Sequence, residues 1–350
     1  MSRAAIVCGL GAWVPPTVVT NHELAERLET SDEWIRTRTG IEQRHVIKPG
    51  EATSDLAVEA GRRALESARA SGEDVVDVDL VVLATSTPDH PCPATAPDVA
   101  QRLGLGGVPA FDVAAVCTGF VYALAVAASM LTAGTARQAL VIGADAFSTI
   151  LDPHDRTTRA IFGDGAGAMV LRAGEANEAG ALLGFDLGSD GTGAGMITVR
   201  AGGSRQRSTG TPAAEGDQWF SMEGRAVFTE AVLNMSKSAQ SLADQVGWSA
   251  TGADRVVAHQ ANVRILRAVG EQLGLSAEQI VINLDRVGNT VAGSIPLALA
   301  DAVASGGISP GHRVLLTGFG GGLTWGSAAL MWPELTVIPP NAPTLWKEPV

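Results

Sequence analysis

The chain has 350 residues, of which 46% are apolar and 18% are charged, a composition that excludes extensive disorder. Its 37 acidic residues outnumber its 25 basic ones, for a net charge of −12, so it lacks the positive field by which proteins bind nucleic acid. Its three cysteines form no CxxC pair, which excludes a disulfide framework. The longest apolar stretch, 120–131, is too short to cross a bilayer. We therefore expect a cytoplasmic protein whose partners include neither a membrane nor a nucleic acid.

The order of apolar segments along the chain predicts the fold class. Short runs that are apolar on both faces predict buried strands at 4–10, 80–85, 111–116, 139–143, 167–171, 255–258, 280–283, 313–317 and 327–331. Segments with apolar residues near a 3.6-residue period predict helices at 56–71, 94–103, 119–132, 225–246, 263–273 and 296–305. This alternation indicates an α/β fold in which helices cover a sheet.

Two segments of the chain share a pattern. Residues 162–171 and 319–330 each begin with a Phe-Gly-x-Gly turn and continue as an apolar run. Either such turns recur by chance or the fold is duplicated. Duplication would give an N-terminal half, 1–178, and a C-terminal half, 179–350. The Gly/Ser/Thr/Arg-rich segment 201–217 is predicted to be a surface loop, and the proline-containing chain after about 332 a surface extension.

Cys117 is the first candidate for a reactive residue. It lies where a predicted buried strand ends and a predicted helix begins at Gly119. Backbone N–H groups and the positive end of a helix dipole favour a thiolate at such a position, and the thiolate is the nucleophilic form. The alternative is that Cys117 is a small buried apolar residue, as most free cysteines are.

His259 and Asn289 are the other two candidates. His259 ends a predicted strand, and ligands bind at strand ends in open α/β sheets. Asn289 lies in a polar loop that leads to a helix at Pro296. The alternatives are a core histidine and an ordinary turn asparagine. No His, Cys or Asp residues show the spacing of metal ligands, so we expect no metal site.

Taken together, these segments resemble the thiolase-like condensing enzymes, and most of all the β-ketoacyl-ACP synthase III group. The resemblance rests on the strand–Cys117–helix segment, His-Gln-Ala-Asn at 259–262, Gly-Asn-Thr at 288–290 and Phe-Gly-Gly-Gly at 319–322. Residues 30–41, Asp155-Arg156 and residues 161–168 also match that group's motifs. The resemblance extends from the first predicted strand to about residue 331, which is nearly the whole chain.

The resemblance implies a five-layer αβαβα thiolase-like fold of two duplicated halves, and a homodimer. It implies that Cys117 is acylated by an acyl-CoA primer and that malonyl-ACP is then decarboxylated. His259 and Asn289 would donate hydrogen bonds to the resulting enolate, which attacks the acyl group to give a 3-oxoacyl-ACP. The N–H groups of Cys117 and Gly321 would form the oxyanion hole for acyl transfer. Acyl-CoA is a substrate in this scheme, and no cofactor is expected.

The same resemblance implies how CoA binds. Trp34 and Arg38 would flank the adenine, Arg156 would lie on its other side, and Asn262 would lie along the pantetheine arm. Phe228 would also contact CoA. The alternatives are core packing for the tryptophan and solvated positions for the arginines.

One departure from the family pattern concerns the acyl pocket, which would include Cys92 and Phe162. Enzymes of the group that are specific for acetyl-CoA often carry Phe where this chain has Cys92, and that Phe closes the partner subunit's pocket. The smaller Cys92 suggests a deeper pocket for longer or branched primers. The alternative is that another bulky residue refills the space.

A second departure concerns the acyl carrier protein, which is acidic and docks on a basic helix in this family. Arg264 and Arg267 are present on the corresponding helix, but Glu271 and Gln272 stand where lysines are common. Fewer positive charges weaken the encounter with an acidic partner. Either the carrier is less acidic than usual, or the acyl group goes to another acceptor.

Two functions therefore follow from the sequence. The first is a chain-initiating condensing enzyme, of the kind that primes bacterial fatty-acid, polyketide or other specialised-metabolite synthesis. The second is an acyltransferase on the same scaffold, which moves an acyl group from CoA or ACP to an alcohol, amine or other acceptor without decarboxylation. Release of CO2 from a malonyl thioester distinguishes them.

Overall fold

The structure, a computed structural model, describes residues 3–73 and 78–338. Its strands are β1 (Arg3–Trp13), β2 (Thr17–Thr20), β3 (Gln43–Val46), β4 (Leu80–Ala84), β5 (Ala110–Val113), β6 (Gln138–Asp145), β7 (Gly165–Glu175), β8 (Leu182–Ser189), β9 (Ile197–Val199), β10 (Phe220–Met222), β11 (Arg255–Ala258), β12 (Arg313–Gly320) and β13 (Thr324–Met331). Its α-helices are α1 (Asn21–Ala25), α2 (Asp32–Thr39), α3 (Thr53–Ala70), α4 (Ala96–Arg102), α5 (Gly119–Ala133), α6 (Arg156–Arg159), α7 (Ser204–Arg207), α8 (Gly224–Gln245), α9 (Val263–Leu273), α10 (Leu284–Val287) and α11 (Ser294–Ala304).

The two large sheets repeat one topology. The first has the order β1–β7–β6–β4–β5, with two antiparallel pairs followed by two parallel pairs. The second has the order β8–β13–β12–β11, with two antiparallel pairs followed by one parallel pair. Where the first sheet has β5, the second has only a parallel bridge between Val256 and Ile280. The repeated strand order and direction confirm the predicted duplication. The last strand of the first sheet, β7, ends at Glu175, and the first strand of the second sheet, β8, begins at Leu182.

Helices and sheets alternate in five layers. Helices α3 and α4 pack on the outer face of the first sheet, α5 and α11 lie between the two sheets, and α8 packs on the outer face of the second with α9 against it. Close contact in the first layer depends on glycine, because a Cβ on Gly11 of β1 would lie 2.2 Å from the backbone nitrogen of Ala64 in α3. The predicted αβαβα fold is therefore confirmed.

The central helix α5 is apolar throughout. The window Val116–Ala133 has the length and composition of a membrane-crossing helix, but 56% of it is buried within the fold. Its side chains join those of α11 and both sheets in one core cluster. This burial explains the apolar sequence as that of a core helix.

Several elements differ from the sequence prediction. Segment 280–283 is not a strand, although Ile280 makes one bridge to β11. Five strands were not predicted, namely β2, β3, β8, β9 and β10, which are short or half-exposed. Segment 201–217 is mostly exposed, as predicted, but contains the short helix α7. Residues 332–338 follow β13 without regular structure, and the rest of the predicted extension lies outside the described residues.

Candidate active site

Cys117 lies in a 3-10 turn, Val116–Thr118, that joins the end of β5 to α5. The turn begins with Val116 at φ 49°, a left-handed conformation that costs a β-branched residue energy. Cys117 is 9% exposed. The turn therefore holds a nearly buried sulfur at the N-terminal end of the central helix.

His259 follows β11 and is buried. Its backbone N–H donates to Thr317 O on β12 at 2.8 Å. Its ring Nδ1 is 2.6 Å from Ser294 Oγ, at the start of α11. Burial lowers the pKa of His259 to about 3, so the imidazole is neutral at pH 7. One ring nitrogen is thus engaged by Ser294, and Nε2 is left for the cavity.

Asn289 is also buried and held on both sides of its peptide group. Its backbone N–H donates to Ile161 O, and its carbonyl accepts from Gly163 N–H, each at 2.9 Å. Its side-chain Oδ1 accepts from Val291 N–H at 2.9 Å. Because the oxygen is committed to this bond, the amide is oriented with Nδ2 as its free donor.

Cys117, His259 and Asn289 line one cavity, which has a volume of about 460 Å³ including space open to solvent. We call it the acyl cavity. Its other walls are apolar, and three phenylalanines from separate elements close it with their rings in contact. The ring centroids of Phe147, Phe162 and Phe220 lie 4.6, 5.0 and 5.1 Å apart. The structure thus brings the three reactive candidates together at a hydrocarbon-lined space.

The glycine-rich end of β12 lies against the Cys117 turn. A Cβ on Gly320 would be 2.9 Å from both Cys117 N and Ala115 O, so only glycine fits there. The next residue, Gly321, is buried beside Ile197 of the cavity wall. This approach brings Gly320 against the cysteine turn, one residue before Gly321, the predicted second donor of the oxyanion hole.

The electrostatic prediction for Cys117 is wrong. The Cys117 N–H lowers the pKa of the thiol, as expected, but burial and the Asp145 carboxylate raise it well above its ordinary value. Burial disfavours the charged form because the thiolate loses its hydration. The resting group is therefore the thiol, and a base must accept its proton before attack.

Asp145, at the end of β6, is a buried carboxylate that the sequence analysis missed. Its Oδ1 accepts hydrogen bonds from the N–H groups of Ser86 and Thr87 at 2.7 and 3.1 Å, and its Oδ2 accepts from Ala292 N–H at 3.0 Å. The hydroxyls of Thr85 and Thr87 also donate to Oδ1. Burial raises the pKa of Asp145 to about 6, against the effect of these bonds. Asp145 thus ties the segment after β4 to the turn after Asn289.

Four of the five predicted CoA-binding residues lie in connected contacts outside the acyl cavity. The guanidinium groups of Arg38 and Arg156 lie over the Trp34 ring, 4.8 and 5.3 Å from its centroid. Asn262 caps α9 through Arg264 N–H at 2.8 Å and donates to Arg38 O at 3.1 Å. These contacts form a surface in which two exposed arginines lie over a half-buried tryptophan, which suits a nucleotide.

The remaining predicted residues lie in different places. Phe228, on α8, is half-buried under the Arg264 guanidinium, 5.9 Å from the ring centroid. Arg264 and Arg267 are exposed on α9. Phe162 lines the acyl cavity, whereas Cys92 is exposed and does not line it in its own chain. Within residues 3–73 and 78–338, no group of three or more His, Cys, Asp or Glu residues is arranged to hold a metal ion.

The chain matches one protein family in two segments. The family described as 3-oxoacyl-[acyl-carrier-protein] synthase III matches residues 111–191, and its C-terminal region matches residues 243–332. These segments contain Cys117 and the His259–Asn289 pair, respectively.

Named relatives cover almost the full chain. A β-ketoacyl-[acyl-carrier-protein] synthase III of Streptomyces coelicolor is 58% identical over 97% of this chain and 100% of its own. The enzyme of that name from Pseudomonas aeruginosa is 54% identical over 96% of this chain and 98% of its own.

Two solved structures show the same fold. The 3-oxoacyl-(acyl carrier protein) synthase III of Pseudomonas aeruginosa superposes with a TM-score of 0.87 at 52% identity, covering 96% of this chain and 100% of its own. The priming β-ketosynthase of the R1128 polyketide pathway also has a TM-score of 0.87, at 32% identity, with 95% and 97% coverage.

Proposed function

The chain belongs to the 3-oxoacyl-[acyl-carrier-protein] synthase III family of condensing enzymes, and we propose that it initiates chains by joining an acyl primer to malonyl-ACP. The observation that carries this proposal is the convergence of Cys117, His259 and Asn289 on one apolar cavity. The nucleophile and two neutral hydrogen-bond donors face the same space, as decarboxylative condensation requires.

The first step is transfer of the primer from CoA to Cys117. The sulfur attacks the thioester carbonyl, the C–S bond to CoA breaks, and the thiol proton passes through His259 to the leaving CoA sulfur. The N–H groups of Cys117 and Gly321 stabilise the tetrahedral oxyanion. The surface formed by Trp34, Arg38 and Arg156 binds the nucleotide of CoA while the acyl group enters the cavity.

The second step is decarboxylation of malonyl-ACP. The bond between the malonyl carbon and its carboxylate breaks, CO2 leaves, and the electron pair forms an enolate. His259 Nε2–H and Asn289 Nδ2–H donate to the enolate oxygen. Both donors are neutral, and burial keeps His259 uncharged, so neither supplies an acidic proton that would quench the carbanion. The carbanion attacks the acyl group and displaces the Cys117 thiolate, giving 3-oxoacyl-ACP.

The walls of the cavity define the primer. Apart from Cys117, His259 and Asn289, all residues that line the acyl cavity are apolar, so a primer with a polar group in its chain would bury that group without a partner. The phenylalanine cluster narrows the cavity from within the chain itself, whatever residue the partner contributes at Cys92. We therefore propose an unsubstituted hydrocarbon primer whose length is limited by Phe147, Phe162 and Phe220.

The oligomer is part of the proposal. We propose a homodimer in which the exposed loop around Cys92 approaches the partner's acyl cavity. Light scattering on the purified protein, together with crosslinking from Cys92 in a Cys117→Ala background, tests this arrangement. A monomer at micromolar concentration would contradict it.

The condensation proposal is tested by following the acyl group on Cys117 and the CO2 released from malonyl-ACP. Intact-mass analysis with a panel of acyl-CoAs should show one acyl adduct, which Cys117→Ala abolishes while the Cys92→Ala control retains it. Addition of malonyl-ACP to the acylated protein should release CO2 and form 3-oxoacyl-ACP. Acyl transfer to an acceptor without CO2 release would instead identify a simple acyltransferase.

A further inference from the structure

A second cavity lies behind the acyl cavity and shares one wall with it. This rear pocket has a volume of about 970 Å³, including space open to solvent. Phe162 lines both cavities. The other apolar lining residues include Val19, Leu24, Val46 and Leu151, and the charged ones are Glu23, Arg27, Arg44 and Arg159. The rear pocket therefore combines a hydrocarbon surface with an excess of positive charge.

Arg44 is the unusual member of this group. It lies on β3, is 1% exposed, and lines the rear pocket. Its terminal nitrogens donate to Val19 O at 3.1 Å and to Ala160 O at 2.7 Å. Among the described residues, its Nε–H has no hydrogen-bond partner and no carboxylate forms an ion pair with it. A buried cation without a counter-ion is costly, and such cations normally have an anionic partner.

The neighbouring charges do not neutralise Arg44. Glu23 accepts from Thr20 N–H and the Thr20 hydroxyl at 2.6 and 2.9 Å, and its carboxylate interacts with Arg27. Arg159 donates to Ser148 O at 3.3 Å and interacts with the Asp164 carboxylate. Each carboxylate near the pocket is thus already paired with another group, and the positive charge of Arg44 remains uncompensated.

We propose that the rear pocket binds a free aliphatic carboxylate, whose anionic group pairs with Arg44 and Arg159 and whose hydrocarbon chain packs on the apolar walls. The planar guanidinium matches the geometry of a carboxylate. The apolar lining favours an anion with a hydrocarbon body over a small inorganic ion.

The ligand comes from solution and not from Cys117. Phe162 is 4% exposed and packs in the three-ring cluster that closes the acyl cavity. An acyl chain attached to Cys117 would have to displace that ring to reach Arg44. The rear pocket includes space open to solvent, which gives a free acid direct access.

Isothermal titration calorimetry with octanoate tests the proposal on the full chain, with no CoA or carrier present. Wild type should bind octanoate more tightly than 1-octanol, which lacks the charge, and more tightly than inorganic phosphate, which lacks the chain. Arg44→Gln should weaken octanoate binding by roughly tenfold or more, the usual effect of losing a charge-assisted hydrogen bond. Arg255→Gln is the matched control, because Arg255 also donates to a backbone carbonyl but lines neither cavity.

Two further variants test the rear pocket without changing Arg44, in case Arg44→Gln destabilises the fold. Val46→Trp fills the rear pocket from β3, and Arg159→Gln removes the second cation. Both variants should bind octanoate more weakly than wild type while their melting temperatures stay near that of wild type. Equal binding of octanol or phosphate would overturn the proposal, as would octanoate binding that these variants leave unchanged. Octanoate binding that is lost only when Cys117 is acylated would place the ligand in the acyl cavity and also overturn it. Since the octanoate titrations of the free protein involve no condensation, failure here leaves the proposed condensation untouched.

Discussion

The side-chain contact between His259 and Ser294 determines which nitrogen of the imidazole carries the proton. When the Ser294 hydroxyl donates to Nδ1, the proton lies on Nε2 and can be given to an enolate oxygen. When the hydroxyl rotates and accepts from Nδ1–H, Nε2 is bare and can accept the thiol proton of Cys117. A single serine thus supports the tautomers that both proposed half-reactions need. Residues 259 and 294 lie on different elements, and no local motif indicates their contact.

Ser294→Ala should therefore slow both half-reactions, by roughly tenfold or more, because the hydrogen bond that orients the ring is lost. The effect should appear in kcat and not in KM for the acyl-CoA, since Ser294 does not line the acyl cavity. Steady-state kinetics measure this split. Ser294→Thr keeps the hydroxyl and should restore much of the rate, and Ser305→Ala, at the end of the same helix, serves as the control. A rise in KM with unchanged kcat would contradict the positioning role.

The raised pKa of Cys117 predicts how its reactivity depends on pH. As long as the pH is below the pKa of the thiol, each increase of one pH unit should raise the thiolate fraction about tenfold. Alkylation of Cys117 by iodoacetamide should therefore keep rising from pH 7 to pH 9, without a plateau. Peptide mass spectrometry measures the rate at Cys117 separately from that at the exposed Cys92. A plateau near neutral pH would mean that the positive end of α5 outweighs burial and Asp145.

At the scale of elements, the two halves of the fold contribute matching turns to the site. Val116 begins the turn before α5 at φ 49°, and Val291 begins the turn before α11 at φ 52°. The two turns pack against each other. One carries Cys117, and the other follows Asn289. Asp145 binds the second turn through Ala292 N–H and helps to hold these two strained conformations in place.

Asp145→Ala should lower the free energy of unfolding by about 3 kcal/mol or more, because it leaves several buried N–H and O–H donors unpaired. Asp145→Asn keeps one oxygen acceptor and should cost less. Urea denaturation followed by circular dichroism gives both values. Asp186→Ala is a useful comparison, because the donors to its carboxylate among the described residues are the hydroxyls of Ser238 and Ser241. Equal stability of wild type and Asp145→Ala would show that the loops hold their positions without the carboxylate.

The phenylalanine cluster is an element-scale feature, since its rings come from three separate segments. Phe220→Ala should open the acyl cavity and shift acylation of Cys117 towards hexanoyl-CoA and octanoyl-CoA relative to acetyl-CoA. Each methylene that the enlarged cavity buries is worth about 0.8 kcal/mol, or roughly fourfold in the acylation ratio. Intact-mass competition between the thioesters measures this ratio. Phe185→Ala, outside the cavity, is the control, and an unchanged ratio in Phe220→Ala would contradict the length limit.

At the scale of the whole molecule, the sequence predicted those elements whose signal is local. Strands β4, β6 and β11 are buried apolar runs, and the duplication was indicated by the Phe-Gly-x-Gly turns before β7 and β13. The half-exposed β8 and β9 carry no such run and were missed. The phenylalanine cluster, the contact between residues 259 and 294 and the five hydrogen bonds of Asp145 depend on residues far apart in the chain. Burial raises the pKa of the Cys117 thiol, whereas the sequence predicted that it would be lowered. No sequence pattern measures the burial of a single side chain.

Net charge, the broadest property of the chain, leads to the last prediction. A molecule with charge −12 repels an acidic carrier protein at long range, so we predict that docking depends on the exposed Arg264 and Arg267. Arg267→Gln, and more strongly the double variant with Arg264→Gln, should raise KM for malonyl-ACP while Arg267→Gln leaves acylation by acyl-CoA unchanged. Lys48→Gln, also exposed but outside both cavities, is the matched control. Because the attraction by Arg264 and Arg267 and the repulsion by the overall charge oppose each other, moderate salt should change the wild-type rate little, since it screens both effects. A steep loss of rate with salt, or equal KM values for the Arg267 and Lys48 variants, would place the carrier on a different surface.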